Sequence, residues 1–73
     1  MKVRAKFKCI EISKRSGDSN VVKFHPVTST SPENSEFFKW TPYGIVEMGT
    51  INDNVIGFFE IDKEYYLDFT KAE

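Results

Sequence analysis

Charged and apolar residues alternate over positions 2–12, and this alternation constrains the fold more than any other feature of the sequence. The cations at alternate positions are Lys2, Arg4, Lys6 and Lys8. Because side chains of a β-strand point in turn to the two faces of a sheet, the pattern predicts a strand with one buried face. The apolar residues change parity at Ile10 and Ile12, which predicts a β-bulge or a strand end covered on both sides.

Three further segments have the composition of strands. Residues 21–28 include β-branched and aromatic residues, residues 45–50 are predicted to form a short strand, and residues 64–70 alternate again. The turn formers at 13–20 predict a hairpin between the first two strands. Since Pro26 has no N–H to donate, the end of the second strand is expected at a sheet edge or outside the sheet.

Two short helices are predicted between the strands. Residues 31–38 begin with Ser-Pro-Glu, which supplies an N-cap, a first-turn proline and an acid near the positive end of the helix dipole. Asn52 is the predicted N-cap of the second helix, which Gly57 weakens. The spacing i, i+3, i+4 predicts that its apolar face holds Val55, Phe58 and Phe59.

These elements predict a mainly β fold, or a β-rich α+β fold. We expect a small curled antiparallel sheet or an OB-like open barrel with one or two short helices, and an α+β sandwich is the nearest alternative. With 73 residues, the chain is expected to form a single domain spanning 1–73. So small a core is marginally stable, which makes oligomerisation a route to further burial.

Charge is divided unevenly along the chain. Residues 1–23 hold seven cations and two acids, whereas residues 24–73 hold three lysines and nine acids. The one cysteine, Cys9, excludes an internal disulfide and favours a reducing compartment. No apolar run is long enough for a signal peptide or a bilayer span, so we expect a soluble intracellular protein.

Motifs for catalysis and for metal or cofactor binding are missing from the sequence. His25 has no nucleophile at a recognisable spacing, and Cys9 is expected to be an inert core residue. The four glycines form no phosphate-binding loop. A calcium-binding loop is missing around the acids Glu60, Asp62, Glu64 and Asp68, so we expect a solvated acidic edge. The sequence therefore predicts a protein that is not an enzyme and has no cofactor.

The basic row allows two interpretations. With cations about 6.6 Å apart along one strand face, the row could follow a phosphate backbone, with Lys23 as a further contact. Alternatively, the row covers an exposed strand and pairs across the sheet with Glu64 and Asp68. The near-neutral net charge of −1 favours the second interpretation.

Aromatic residues form the other candidate site. Its members are Phe37, Phe38, Trp40 and Tyr43. They could belong to the core, to a base-stacking platform or to a protein interface. Two neighbouring phenylalanines of a short helix cannot face the same way, so one is expected at the rim or under another subunit. For Trp40, the core or a subunit interface is favoured over ligand stacking.

Three phrases in the second half of the chain carry a resemblance. They are EFFKWTP (36–42), IVEMGT (45–50) and KEYYLDFT (63–70). In this order they resemble a family of very small proteins of tailed bacteriophages and prophages, over residues 21–73. Residues 52–59 depart from the family pattern, in which alanines make a firmer helix. The resemblance implies a viral origin and a location in the host bacterial cytoplasm, and it implies no activity.

Together, the residues and the resemblance lead to one functional expectation. We expect a non-catalytic phage accessory protein, assembled as a homo-oligomer, that binds a host protein or a small signalling molecule in counter-defence or host take-over. The alternative is a small-barrel protein that binds single-stranded nucleic acid through Arg4, Lys6 and their neighbours in the basic row. A structural role in the virion is a third possibility.

Overall fold

The computed structural model describes residues 3–14, 19–28, 31–38 and 42–73, which form one sheet and two short helices. The elements are β1 (Val3–Ser13), β2 (Asn20–Pro26), α1 (Pro32–Phe37), β3 (Val46–Ile51), α2 (Asp53–Ile56) and β4 (Glu64–Phe69). The four strands form a curled antiparallel half-barrel in the order β3-β2-β1-β4. This confirms the predicted mainly β fold. None of the helices in these ranges is long and apolar enough to cross a membrane.

Strand β1 pairs on both sides, with β2 and with β4. Its apolar face is buried, as predicted, through Ala5, Phe7 and Cys9. The predicted hairpin with β2 is confirmed, and the register of that pairing shifts between Cys9 and Glu11. This shift is the predicted bulge, and it accounts for the change of parity at Ile10 because an extra residue turns the later side chains to the opposite face.

The core lies on the concave face of the sheet. Val22 and Phe24 of β2 pack there against the apolar face of β1 and against Ile56. The Phe24 ring makes edge contacts with Phe59 and Tyr65, at centroid distances of 5.4 and 5.8 Å. Such edge-to-face pairs contribute beyond the area that they bury.

Helix α1 begins as predicted and is tied to the sheet by the buried Asn34. Ser31 Oγ accepts a hydrogen bond from the Asn34 N–H, and Pro32 is the first helical residue. Asn34 Oδ1 accepts from the backbone N–H of Lys6 at 2.7 Å, and Asn34 Nδ2 donates to the carbonyls of Lys6 and Val27. Beyond the pair Phe7–Pro26, the Val27 N–H still donates to the Lys6 carbonyl at 3.0 Å, and the Asn34 amide bridges the Lys6 N–H and the Val27 carbonyl.

Helix α2 begins after Asn52, as predicted, but its predicted apolar face is wrong. The helix has four residues, Asp53–Ile56, and Gly57 is its C-cap. Ile56 is the buried residue, whereas Val55 is 48% and Phe58 is 68% exposed. Since the helix ends after one turn, the 3.6-residue period does not extend from Val55 to Phe58. Phe59 is half-buried and reaches the core from the following loop.

We predict that Asn34→Ala lowers the free energy of unfolding by about 2–3 kcal/mol, because the substitution leaves buried backbone groups of Lys6 and Val27 without hydrogen bonds. Ser35→Ala, on the exposed side of the same helix, is the matched control and is expected to cost less than about 0.5 kcal/mol. Urea unfolding of both variants measures the difference. Equal midpoints would contradict the structural role of Asn34.

Candidate binding surface

The strand order places the basic strands between acidic ones. β1 and β2 carry Arg4, Lys6, Lys8 and Lys23 and lie in the centre of the sheet, whereas β3 and β4 lie at its edges. Directly opposite residues include Arg4 and Asp68, Lys8 and Glu64, and Lys23 and Glu47. Opposite charges at facing positions of a sheet attract. The uneven charge along the sequence is therefore largely balanced within the fold.

Arg4 has the most complete set of contacts in the basic row. Its Nε donates to Asp68 Oδ1 at 2.6 Å and its Nη2 donates to Asp68 Oδ2 at 3.2 Å. The guanidinium also lies 4.4 Å from the centroid of the Tyr66 ring, which is a cation–π geometry. The hydrogen bond from Arg4 to Asp68 raises the pKa of the guanidinium. Two of its N–H donors bond to this carboxylate, and the pair lies at the exposed surface.

Lys6 and Lys23 each lie between two acids. Lys6 Nζ is 3.8 Å from Glu33 and 3.7 Å from Glu64. Lys23 Nζ is 3.5 Å from Glu11 and 4.0 Å from Glu47. Glu33 is held charged because hydrogen bonds from its own backbone N–H and from Ser31 lower the pKa of its carboxyl group. These cations are paired as the cross-strand interpretation predicts.

Lys8 and Lys2 complete the predicted basic row. Lys8 is exposed and lies beside His25 of β2, opposite Glu64 of β4. Lys2 lies outside the described residues. Among the described cations, Arg4, Lys6 and Lys23 each lie within 4.0 Å of a carboxylate, which reduces the positive charge that they present to a phosphate.

The predicted aromatic site is divided by the fold. Phe37 and Phe38 contact each other, with ring centroids 4.8 Å apart, and Phe37 stacks on Phe69 of β4 at 5.9 Å. Phe37 is exposed and Phe38 is half-buried against the core, in agreement with the expected division between rim and interior. Trp40 lies outside the described residues. Tyr43 lines a separate groove.

This groove is open, with a volume of about 550 Å³, and lies where β2 ends and the chain enters β3. Its lining residues are His25, Pro26, Thr28, Pro42, Tyr43, Gly44 and Ile45. Tyr43 is 89% exposed, so its ring faces solvent, and His25 lines the same groove. An apolar lining with a few polar groups is typical of small-molecule sites.

Gly44 sets the direction of the chain between Tyr43 and β3. Its φ is 155°, in a region that side chains with a Cβ rarely adopt. No heavy atom lies within 4 Å of the position that a Cβ would occupy. The requirement for glycine is therefore conformational, and the substitution Gly44→Ala would strain the backbone that presents Tyr43.

Sequence reasoning missed two exposed apolar residues of these surfaces, Ile45 and Phe69. Both were predicted to lie on strands, and alternation places Phe69 on the same side of its strand as Tyr65 and Leu67. The structure places Phe69 at the strand end, where it is 54% exposed, and Ile45 just before β3. Alternation identifies the face of a strand but not how far the covering layer extends along it.

The described residues contain no group of three or more His, Cys, Asp or Glu side chains that could hold a metal ion. The thiol of Cys9 is buried in the core, and desolvation raises its pKa, which disfavours the nucleophilic thiolate. Glu64 and Asp68, two of the acids considered for a cation site, pair instead with Lys6 and Arg4.

Comparison of the chain with protein-family models, with curated proteins and with solved structures found no match. The resemblance to small phage proteins therefore stays a prediction that rests on the three phrases.

We predict that the paired acids suppress nucleic-acid binding. Glu64→Gln combined with Asp68→Asn removes one of the two acids beside Lys6 and the carboxylate bound by Arg4, and this variant should bind a single-stranded oligonucleotide more tightly than the unmodified protein, with a steep salt dependence. Mobility-shift titrations at about 50 and 150 mM salt measure both effects.

The matched control for this experiment is Glu60→Gln with Asp62→Asn. It changes the net charge equally at two exposed acids of the turn before β4. If the unmodified protein already binds the oligonucleotide tightly, or if both double variants gain equally, local pairing is not what limits binding.

Proposed function

We propose that this chain is a non-catalytic phage or prophage accessory protein that acts in the host bacterial cytoplasm as a homo-oligomer. Its ligand is a small signalling molecule or a segment of a host protein, held in the groove beside Tyr43. The observation that carries the proposal is this solvent-facing aromatic ring in a largely apolar groove.

The dimensions of the groove favour the small molecule. Its volume of about 550 Å³ lies within the range of about 300–1,000 Å³ that is usual for ligand sites. A planar ring could stack on Tyr43, while the imidazole of His25 and the hydroxyl of Thr28 provide hydrogen-bonding groups at the groove wall. A peptide segment with an aromatic or proline side chain would use the same contacts.

The exposed surface supports the homo-oligomer. The protein has an accessible surface of 5700 Å², whereas a folded monomer of 8.5 kDa is expected to expose about 4,700 Å². Its Cα extents are 39 × 33 × 16 Å, so the molecule is a thin plate in which one sheet is covered mainly on one side. Large hydrophobic residues such as Phe58, Ile61 and Phe69 are more than half exposed. Surface of this kind is usually covered in an assembly.

We predict that Tyr43→Ala reduces retention of the ligand at least tenfold, because it removes the exposed ring from the groove. Native mass spectrometry of the full chain, purified from bacteria that express it during infection, reports the number of subunits and any bound mass. Tyr43→Phe keeps the ring and should retain the ligand.

The matched control for lost apolar surface is Ile61→Ala, which shortens an exposed side chain outside the groove. It should leave retention unchanged. A bound mass that survives Tyr43→Ala, or a protein that carries no ligand under any condition of infection, would contradict the proposed role of the groove.

A further inference from the structure

We propose that a second copy of this chain pairs with β4 in an antiparallel manner, about a two-fold axis at Leu67, so that two half-barrels form one continuous eight-stranded sheet. The inference rests on the homo-oligomer of the proposed function and assigns its interface and register. The observations that carry it are the regular edge of β4 and the charges along that strand.

β4 is the less protected of the two sheet edges. Among the described strands, it has a neighbour on one side only, and its pairing with β1 runs from Val3–Phe69 to Lys8–Glu64 without a register shift. β4 contains neither proline nor lysine, the residues that commonly block edge pairing. Its acids Asp68 and Glu64 form ion pairs with Arg4 and Lys6 of β1.

β3, at the opposite edge, is irregular. Its register with β2 shifts between Asn20 and Val22, and Thr50 has a φ of 51°. Such bulges twist an edge away from a further strand. A second copy is therefore expected at β4 rather than at β3.

The backbone of β1 shows which groups of β4 face outward. The N–H and C=O of Lys6 bond to Asn34 and Val27, away from β4. The backbone groups of successive residues point to opposite sides of a strand. The N–H and C=O of Phe7 therefore point to β4, and those of its partner Tyr65 point to β1. The N–H and C=O of the next residue, Tyr66, therefore point to the open edge.

Charge favours an axis at Leu67 over an axis at Tyr66. An axis at Tyr66 would place Glu64 opposite Asp68 of the second copy, and facing like charges are destabilising. An axis at Leu67 places Tyr66 opposite Asp68 and Tyr65 opposite Phe69, so no two acids face each other. It also adds an aromatic neighbour to Phe69, which is 54% exposed in the single chain.

The chain exposes more surface than a compact monomer of its mass. Its accessible area of 5700 Å² exceeds the expected value by roughly 1,000 Å². This difference is comparable in size to the roughly 800 Å² that one partner buries in a standard interface.

Disulfide trapping tests the register directly. Each variant also carries Cys9→Ala, so that the introduced cysteine is the only thiol. In the proposed register, Leu67 faces its own copy as a non-hydrogen-bonded pair, with Cα atoms about 4.5 Å apart, which suits a disulfide. The two Tyr66 Cα atoms would be about 8 Å apart, which is too far. We expect Leu67→Cys to form a covalent dimer on mild oxidation and Tyr66→Cys to remain uncrosslinked.

A second pair of variants avoids changes to the concave face. Tyr66→Pro removes the outward N–H and should raise the dimer dissociation constant, measured by analytical ultracentrifugation, at least tenfold relative to Tyr66→Thr, which removes the same ring and keeps the N–H. Both variants should keep the folded circular-dichroism spectrum, since this N–H does not bond to β1.

Three outcomes would overturn the inference: a monomeric unmodified protein at micromolar concentration, crosslinking at Tyr66 rather than Leu67, or a dimer unaffected by Tyr66→Pro. Ligand retention at Tyr43 is measured separately by native mass spectrometry. A monomer that keeps its ligand would refute the dimer and leave the binding role intact. A crosslinked dimer that never carries a ligand would support the dimer and contradict the binding role.

Discussion

The structure depends on the double pairing of β1. This strand joins β2 and β4, which are far apart in sequence, and its apolar face forms the floor of the core through Ala5, Phe7 and Cys9. Beyond Pro26, Asn34 bridges the Lys6 N–H and the Val27 carbonyl and so fastens α1 to the same strand. A buried polar side chain is stable here because each of these backbone groups obtains a partner.

A single sheet covered mainly on one side leaves much apolar surface in water. The aromatics around Phe24 complete the core, but those at the ends of elements, such as Phe37 and Phe69, contact one another at the surface. The same geometry leaves Tyr43 beside an open groove and β4 at an open edge. Ligand binding and self-association would thus use different parts of the molecule.

Local sequence signals predicted the individual elements well. Alternation identified β1 and β4, Ser31 and Asn52 marked both helix starts, and the parity change at Ile10 located the bulge. These features depend on backbone geometry within a few residues. The prediction of the apolar face of α2 was wrong because the helix ends after one turn, at its C-cap Gly57. The spacing of apolar residues alone does not determine where a helix stops.

The sequence by itself determined that the chain is rich in strands, that one face of β1 is apolar, and that cations are concentrated in residues 1–23 and acids in residues 24–73. Only the tertiary structure decided the strand order, and with it the pairing of Arg4 with Asp68 across 64 positions. It also separated Tyr43 from Phe37, although they are six positions apart. Period and composition are local properties, whereas neighbours in a sheet depend on how the whole chain buries its apolar face.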